Sequence, residues 1–146
     1  MKVLVINGPN LNLLGKRETG VYGNKSYDDL LRQIKQKASE LSIMVDFYQS
    51  NHEGQIIDKL HEAQDIYDGI VINPGAFTHY SYAIHDAIKA INIPVVEVHI
   101  SNIHQREEFR HKSVTAPACI GQISGFGFNS YVLGLYALQE HVIRKG

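Results

Sequence analysis

Gly69-Ile-Val-Ile-Asn-Pro-Gly-Ala-Phe-Thr-His-Tyr-Ser-Tyr-Ala-Ile-His-Asp86 is the stretch from which the fold can be read. Ile70, Val71 and Ile72 form an unbroken β-branched run with no polar alternation, the pattern of a strand covered on both faces. The run stops at Asn73-Pro74-Gly75, because proline cannot extend a ladder and glycine permits a sharp turn. A helical period follows, with Ile84, Ala87, Ile88 and Ile91 at i, i+3, i+4 and i+7. Asn73, Thr78, His79 and Ser81 lie between strand and helix, at a strand's carboxyl end, the edge where open α/β sheets bind ligands. Asn, Pro, Gly and Thr are also ordinary turn and cap residues, so this stretch marks a site without naming a reaction.

Working outward, Val3 to Ile6 repeat the pattern, closed by Asn7-Gly8-Pro9, and read as a second buried parallel strand. The long connection from Asn10 to Gly23 has the length of a functional loop, and a lid is expected at about 16–24, where Arg17 and Tyr22 supply chemistry. A solvent-facing mobile loop is the alternative. A triphosphate-binding loop is rejected: six residues separate Gly8 from Gly15 where that motif needs four, and Arg17 stands in place of its Ser/Thr. A first helix should open at Ser26, three residues before Asp29. Ile43 to Phe47 alternate and suggest an edge strand. Asn51 is expected to cap a second helix, and Val95 to Ile100 to form the fourth strand. His104 to Lys112 should make a helical turn or two anchored by Phe109. Ala118 to Ser124 read as strand five, and Asn129 to Arg144 as the last helix. Strands alternating with helices over 146 residues imply one domain, a three-layer α/β sandwich with a five-stranded parallel sheet in the flavodoxin-like order 2-1-3-4-5.

Composition narrows the function. Apolar residues make up 44% and charged residues 20%, as in ordinary globular proteins, and the net charge of −1 argues against nucleic acid or an anionic membrane surface as partner. One cysteine, Cys119, in an apolar setting, fits a buried small hydrophobe in a reducing cytoplasm. The amino-terminal apolar run is too short for a signal peptide or a membrane span. No His-Glu-x-x-His, paired cysteines, calcium loop, dinucleotide fingerprint or nucleophile elbow is present, so no metal and no cofactor is expected. Asn10, Asn73, His79 and the segment His99 to Asn102 all fall at strand carboxyl ends. Glu97 and His99, two apart, share a strand face, and a carboxylate beside an imidazole can fix its tautomer and support proton transfer. Tyr, Arg, His and Asn without a cofactor can move protons and hold oxyanions. A domain binding a mononucleotide or phosphate without catalysis stays open beside this, although Asn7-Gly-Pro-Asn10 lacks the hydroxyl-rich loop that a flavin phosphate prefers.

The blocks Asn7-Gly-Pro-Asn-Leu-Asn-Leu-Leu-Gly15, Arg17-Glu-Thr-Gly-Val-Tyr-Gly23, Asn73-Pro to Asp86-Ala, Glu97-Val-His-Ile-Ser-Asn102, Arg106-Glu-Glu-Phe-Arg110 and Gly121-Gln-Ile-Ser-Gly-Phe-Gly127 closely resemble the type II 3-dehydroquinate dehydratases. The resemblance spans nearly the whole chain. It departs at Thr19, where the family usually has proline, which should loosen the lid. His85 also stands where other residue types are expected.

The resemblance implies trans-dehydration of 3-dehydroquinate to 3-dehydroshikimate through an enolate. By similarity Tyr22 as tyrosinate is the base, Arg17 the cation that stabilises it, and Asn10 holds a water on the enolate oxygen. His99, oriented by Glu97, is the general acid. The substrate carboxylate would rest on Asn73 and the amides of Ile100 and Ser101, and His79, Asp86 and Arg110 would bind ring hydroxyls. A catalytically silent relative is the remaining alternative, which the retained Arg17, Tyr22 and His99 oppose. The family pattern also implies a homo-oligomer, a dodecamer built of trimers. Asp86, about 200° round the helix from Ile84, points away from its own sheet and would enter a neighbour's site. Val132, Leu133, Leu135, Tyr136, Leu138, Val142 and Ile143 spread the last helix's apolar surface wider than one stripe.

Overall fold

The structure, a computed structural model, describes residues 1–16, 20 and 23–145, the last of these by its backbone only. Five strands form one all-parallel sheet: β1 (Lys2–Asn7), β2 (Met44–Gln49), β3 (Gly69–Asn73), β4 (Val95–His99) and β5 (Gly121–Ser124), ordered 2-1-3-4-5 as expected. Among the described residues four helices of several turns cover it: α1 (Tyr27–Glu40), α2 (Glu53–Ala63), α3 (Tyr82–Ala90) and α4 (Asn129–Lys145).

The unbroken apolar runs are central strands because both of their faces are covered. Val3 and Val5 of β1, Val71 of β3, and Val96 and Val98 of β4 pack with Leu30, Ile34, Tyr131, Leu135 and Leu138 from α1 and α4. Leu4, Ile6, Ile70, Ile72 and Val95 turn the other way, onto Ile56, Leu60, Ile84, Ala87 and Ile88 of α2 and α3. Burying side chains of this size contributes about 1.5–3 kcal/mol each. The alternation places Glu97 and His99 on the α2/α3 side of β4, where the apolar pattern would otherwise continue. Glu97 is wholly buried there, in register with Ile72 of β3 and Gln122 of β5.

Helix α1 begins as its sequence indicates. Ser26 Oγ accepts from the Asp29 amide at 3.1 Å, and Asp29 accepts in return from the Ser26 amide at 2.9 Å. Ser26→Ala should therefore cost about 1 kcal/mol of stability, read as a lowered denaturation midpoint. An unchanged midpoint would show that this reciprocal cap is energetically silent.

Several expectations are corrected. Asn51 does not cap α2: His52 occupies the N-cap, and the Asn51 carbonyl instead accepts from the Asn10 amide and from Gln49 Nε2. Strand β4 ends at His99 rather than Ile100. Strand β5 starts at Gly121, because Ala116–Ala118, carrying Pro117, coil into a 3₁₀ turn and only the residues from Gly121 pair with β4. Residues 104–112 do contain two short turns, Ile103–Gln105 and Glu108–Arg110, but Phe109 is 62% exposed and the buried anchor is Ile103. Among the described residues no helix is long and apolar enough to cross a membrane.

Candidate active site

The carboxyl ends of β1, β3 and β4 open onto a cleft lined by Asn10, Asn73, His79, His99, Ile100, Ser101, Arg106 and Arg110. Its shape follows from a close backbone approach. The Gly8 amide donates to the Asn73 carbonyl at 2.8 Å, and a Cβ at Gly8 would lie 2.5 Å from the Pro74 oxygen, so only glycine lets β1 and β3 exit side by side. Beyond it Asn10 turns into the left-handed region (φ 69°), which asparagine tolerates, and its amide is tied to Asn51 Oδ1 at 3.0 Å.

At the floor of the cleft His99, 6% exposed, meets Glu97 Oε2 through Nε2 at 2.9 Å. The carboxylate also accepts from Thr78 Oγ1 (2.9 Å), Ser113 Oγ (3.0 Å) and Gln122 Nε2 (2.7 Å), and from Thr115 Oγ1 at short range. Burial alone would raise the Glu97 pKa, but His99, Thr115 and Gln122 outweigh it and hold the carboxyl below its ordinary range. Glu97 is thus an anion, and the nitrogen facing it carries a proton. Nδ1 is left as the His99 nitrogen for a ligand in the cleft. An acid of this kind can hand a proton to a leaving oxygen.

A second network fixes Asn73, which is 3% exposed. Its Oδ1 accepts from the Gly75 amide at 3.1 Å, and its Nδ2 donates to Tyr131 Oη at 2.9 Å. Tyr131 donates on to Asn7 Oδ1 (2.6 Å), whose Nδ2 reaches Tyr27 Oη (3.3 Å). The hydroxyl direction is set by Asn7, so the Asn73 amide keeps one orientation. Burial raises the Tyr27 pKa, so its phenol stays neutral.

The third wall is cationic and aromatic. His79 Nδ1 donates to the Lys112 carbonyl at 2.8 Å, its ring stands edge-on to Phe109, and the Arg110 guanidinium lies 4.7 Å from the Phe109 ring centre. Burial lowers the His79 pKa, partly offset by the Lys112 carbonyl. Arg110 is held by Glu107 at 2.6 Å.

The structure therefore brings Asn10, Asn73, His79, His99, Ile100, Ser101 and Arg110 together around one cleft, with Glu97 directly beneath. Asp86 is apart from them, exposed on α3. Arg17 and Tyr22, with much of the expected lid, lie outside the described residues. Cys119 is half-buried, its thiol pKa raised by burial and by the charge of Glu97. Among the described residues no three His, Cys, Asp or Glu groups are placed to hold a metal ion. Residues that sequence reasoning missed are Ser113, Thr115 and Gln122 around Glu97, and Asn7, Tyr27 and Tyr131 behind Asn73. Tyr131 had a signal: with Leu135 and Leu138 it completes the i, i+4, i+7 stripe of α4.

The model of the family described as dehydroquinase class II matches residues 1–139. The chain is 71% identical over 140 residues to a 3-dehydroquinate dehydratase of Caldicellulosiruptor bescii, covering 95% of this chain and 97% of that one. It is 63% identical over 139 residues to the 3-dehydroquinate dehydratase of Bacillus cereus, covering 95% of each. The crystal structure of a type II dehydroquinase from Butyrivibrio crossotus superposes with a TM-score of 0.93 at 56% identity, over 95% of this chain and 97% of that one. Matched by the family model over residues 1–139 and by relatives over 95% of its length, the chain belongs to the class II dehydroquinase family.

Proposed function

We propose that the chain is a 3-dehydroquinate dehydratase acting in the shikimate pathway, and that its site works by enolate chemistry. The observation that carries the reading is the buried Glu97–His99 pair at the floor of a cleft whose other walls offer amides, an imidazole and guanidinium groups. Tyr22 as its phenolate takes the proton α to the ketone, and the electron pair moves onto the carbonyl oxygen as an enolate. Arg17 supports the phenolate, since a free tyrosine titrates at about 10 and needs its anion stabilised. A water held by Asn10 donates to the enolate oxygen. The enolate then collapses, the carbon–oxygen bond breaks, and the His99 proton converts the departing hydroxyl to water. Asn73 and the amides of Ile100 and Ser101 hold the substrate carboxylate. His79 and Arg110 meet ring hydroxyls.

Asp86 joins that set from a neighbouring subunit in this reading, within a dodecamer of four trimers. Its exposure on the outer face of α3 supports this, as do Tyr82 of α3 (65% exposed) and Leu133, Tyr136 and Ile143 of α4 (42, 52 and 65%), apolar surface of the kind that subunit contacts cover. Purified protein mixed with 3-dehydroquinate should generate the ultraviolet absorbance of the conjugated product. No absorbance change at any pH between 5 and 9 would refute the assignment.

A further inference from the structure

We propose that Thr78, Ser113, Thr115 and Gln122 are positioning residues for the reaction, which by donating to Glu97 keep the proton of the Glu97–His99 contact on the imidazole and leave Nδ1 to face the cleft.

The argument begins with counting. Two carboxylate oxygens receive five donors: three hydroxyls, one amide and the imidazole. Were Glu97 to take the proton from His99, its O–H would point back at the unprotonated Nε2, and the four neutral donors would face a neutral carboxyl, a weaker acceptor than the anion. The four neutral donors thus favour the carboxylate over the carboxylic acid, because their hydrogen bonds are stronger to the charged form. Their placement makes the set hard to distort. Thr78 comes from the turn after β3, Ser113 and Thr115 from the segment before β5, and Gln122 from β5 itself, paired in register with Glu97. Thr78 and Thr115 are wholly buried, 2.8 Å apart, and the Ala116 amide donates to Ser113 Oγ, turning its hydroxyl toward the carboxylate. Such donors stabilise an anion where burial would discharge it.

Among the described residues, charged and titratable groups near the pair are few. His79 follows β3 with Arg110 beside it, Arg106 lines the same cleft, and Cys119, whose thiol pKa is raised, follows the 3₁₀ turn at Ala116–Ala118. None of the four donors titrates, so they fix the charge of Glu97 without exchanging protons with it. Removing one leaves the carboxylate charge less dispersed. The cationic form of His99 is then held more tightly, and it loses its proton at higher pH.

This inference rests on His99 being the acid of the proposed reaction, so the test reads the pair with and without turnover. In the full-length protein the slow exchange of each imidazole Cε1 proton for deuterium, followed by mass spectrometry across pH, gives the midpoint of His99 with no substrate present. Thr115→Val keeps volume and loses the hydroxyl, and should move the midpoint upward by roughly a few tenths of a pH unit, since the lost bond is to Glu97 in both protonation states of His99 and only the dispersal of the Glu97 charge changes. Its kcat profile should move the same way with KM within about twofold. Thr115→Ser loses a methyl but keeps the hydroxyl, and should restore the wild-type midpoint. Gln122→Met, on a strand that is only half-buried, should shift in the same direction and carries the test if Thr115→Val fails to fold. A wild-type midpoint in Thr115→Val and Gln122→Met overturns the inference, as does Thr115→Ser shifting as far as Thr115→Val. A wild-type enzyme with no turnover refutes the reaction instead, while the exchange midpoints still decide the role of the donors.

Discussion

His99→Gln should lower kcat by roughly two to four orders of magnitude, the range that one positioned general acid supplies. Glutamine is chosen because its amide can still donate to Glu97, so the buried carboxylate is not left facing a cavity. The other four donors to that carboxylate are also untouched. What disappears is the titratable nitrogen on the cleft side. KM should change by only a few-fold, since the groups proposed to hold the substrate carboxylate, Asn73 and the Ile100 and Ser101 amides, stay in place. A steady-state assay together with a thermal melt separates chemistry from folding. A variant with kcat within threefold of wild type would take His99 out of the acid's role, and a collapsed melt would show that the pair is chiefly structural.

Tyr22→Phe should remove nearly all turnover, about a thousandfold or more, because the phenolate oxygen is the proposed base. Asp86→Ala should also be inactive, but for a different reason: its carboxylate is proposed to serve a neighbour's substrate. Dissociating the two variants, mixing them and reassembling should restore part of the activity, since some interfaces then pair an intact Tyr22 with an intact Asp86. Asp86 lies on the side of α3 opposite Ile84, Ala87 and Ile88, all buried, and this geometry keeps it from its own cleft. Two inactive variants that stay inactive after mixing would place Asp86 and Tyr22 in the same subunit's site. Wild-type rates from Tyr22→Phe alone would end the tyrosinate mechanism.

The cleft residues that follow β3 and β4 were legible in the sequence for a specific reason. Strand ends are announced by apolar runs that stop, as at Ile72-Asn73-Pro74, and the side chains next in line are then placed by topology alone. Glu97 and His99 could be assigned one face by strand parity. The hydroxyls that grip Glu97 could not be found this way. Thr115 is 18 residues from Glu97 and Gln122 is 25, and neither distance has a local period. Tyr131 is 124 residues from Asn7. Local propensity also misled in places. Ala118-Cys119-Ile120 is apolar enough for a strand, yet Pro117 coils the chain just before it and pairing starts only at Gly121. Phe109 looked like an anchor because it is large and aromatic, but its ring instead flanks His79 and Arg110.

The dispersal of the groups around Glu97 bears on how this chain can be recombined. The carboxylate lies on β4, while its partners come from the turn after β3, from residues 113–115 and from β5. A crossover between β4 and β5 that brings in a relative's apolar residue at position 122 or 115 would strand a buried charge, whereas one that carries residues 78–124 as a block would not. The Glu97–His99 pair with its supporting groups is thus inherited as a module of nearly fifty residues, about a third of the chain, rather than as a two-residue motif. Shuffled libraries of this family should be cut before Asn73 or after Ser124.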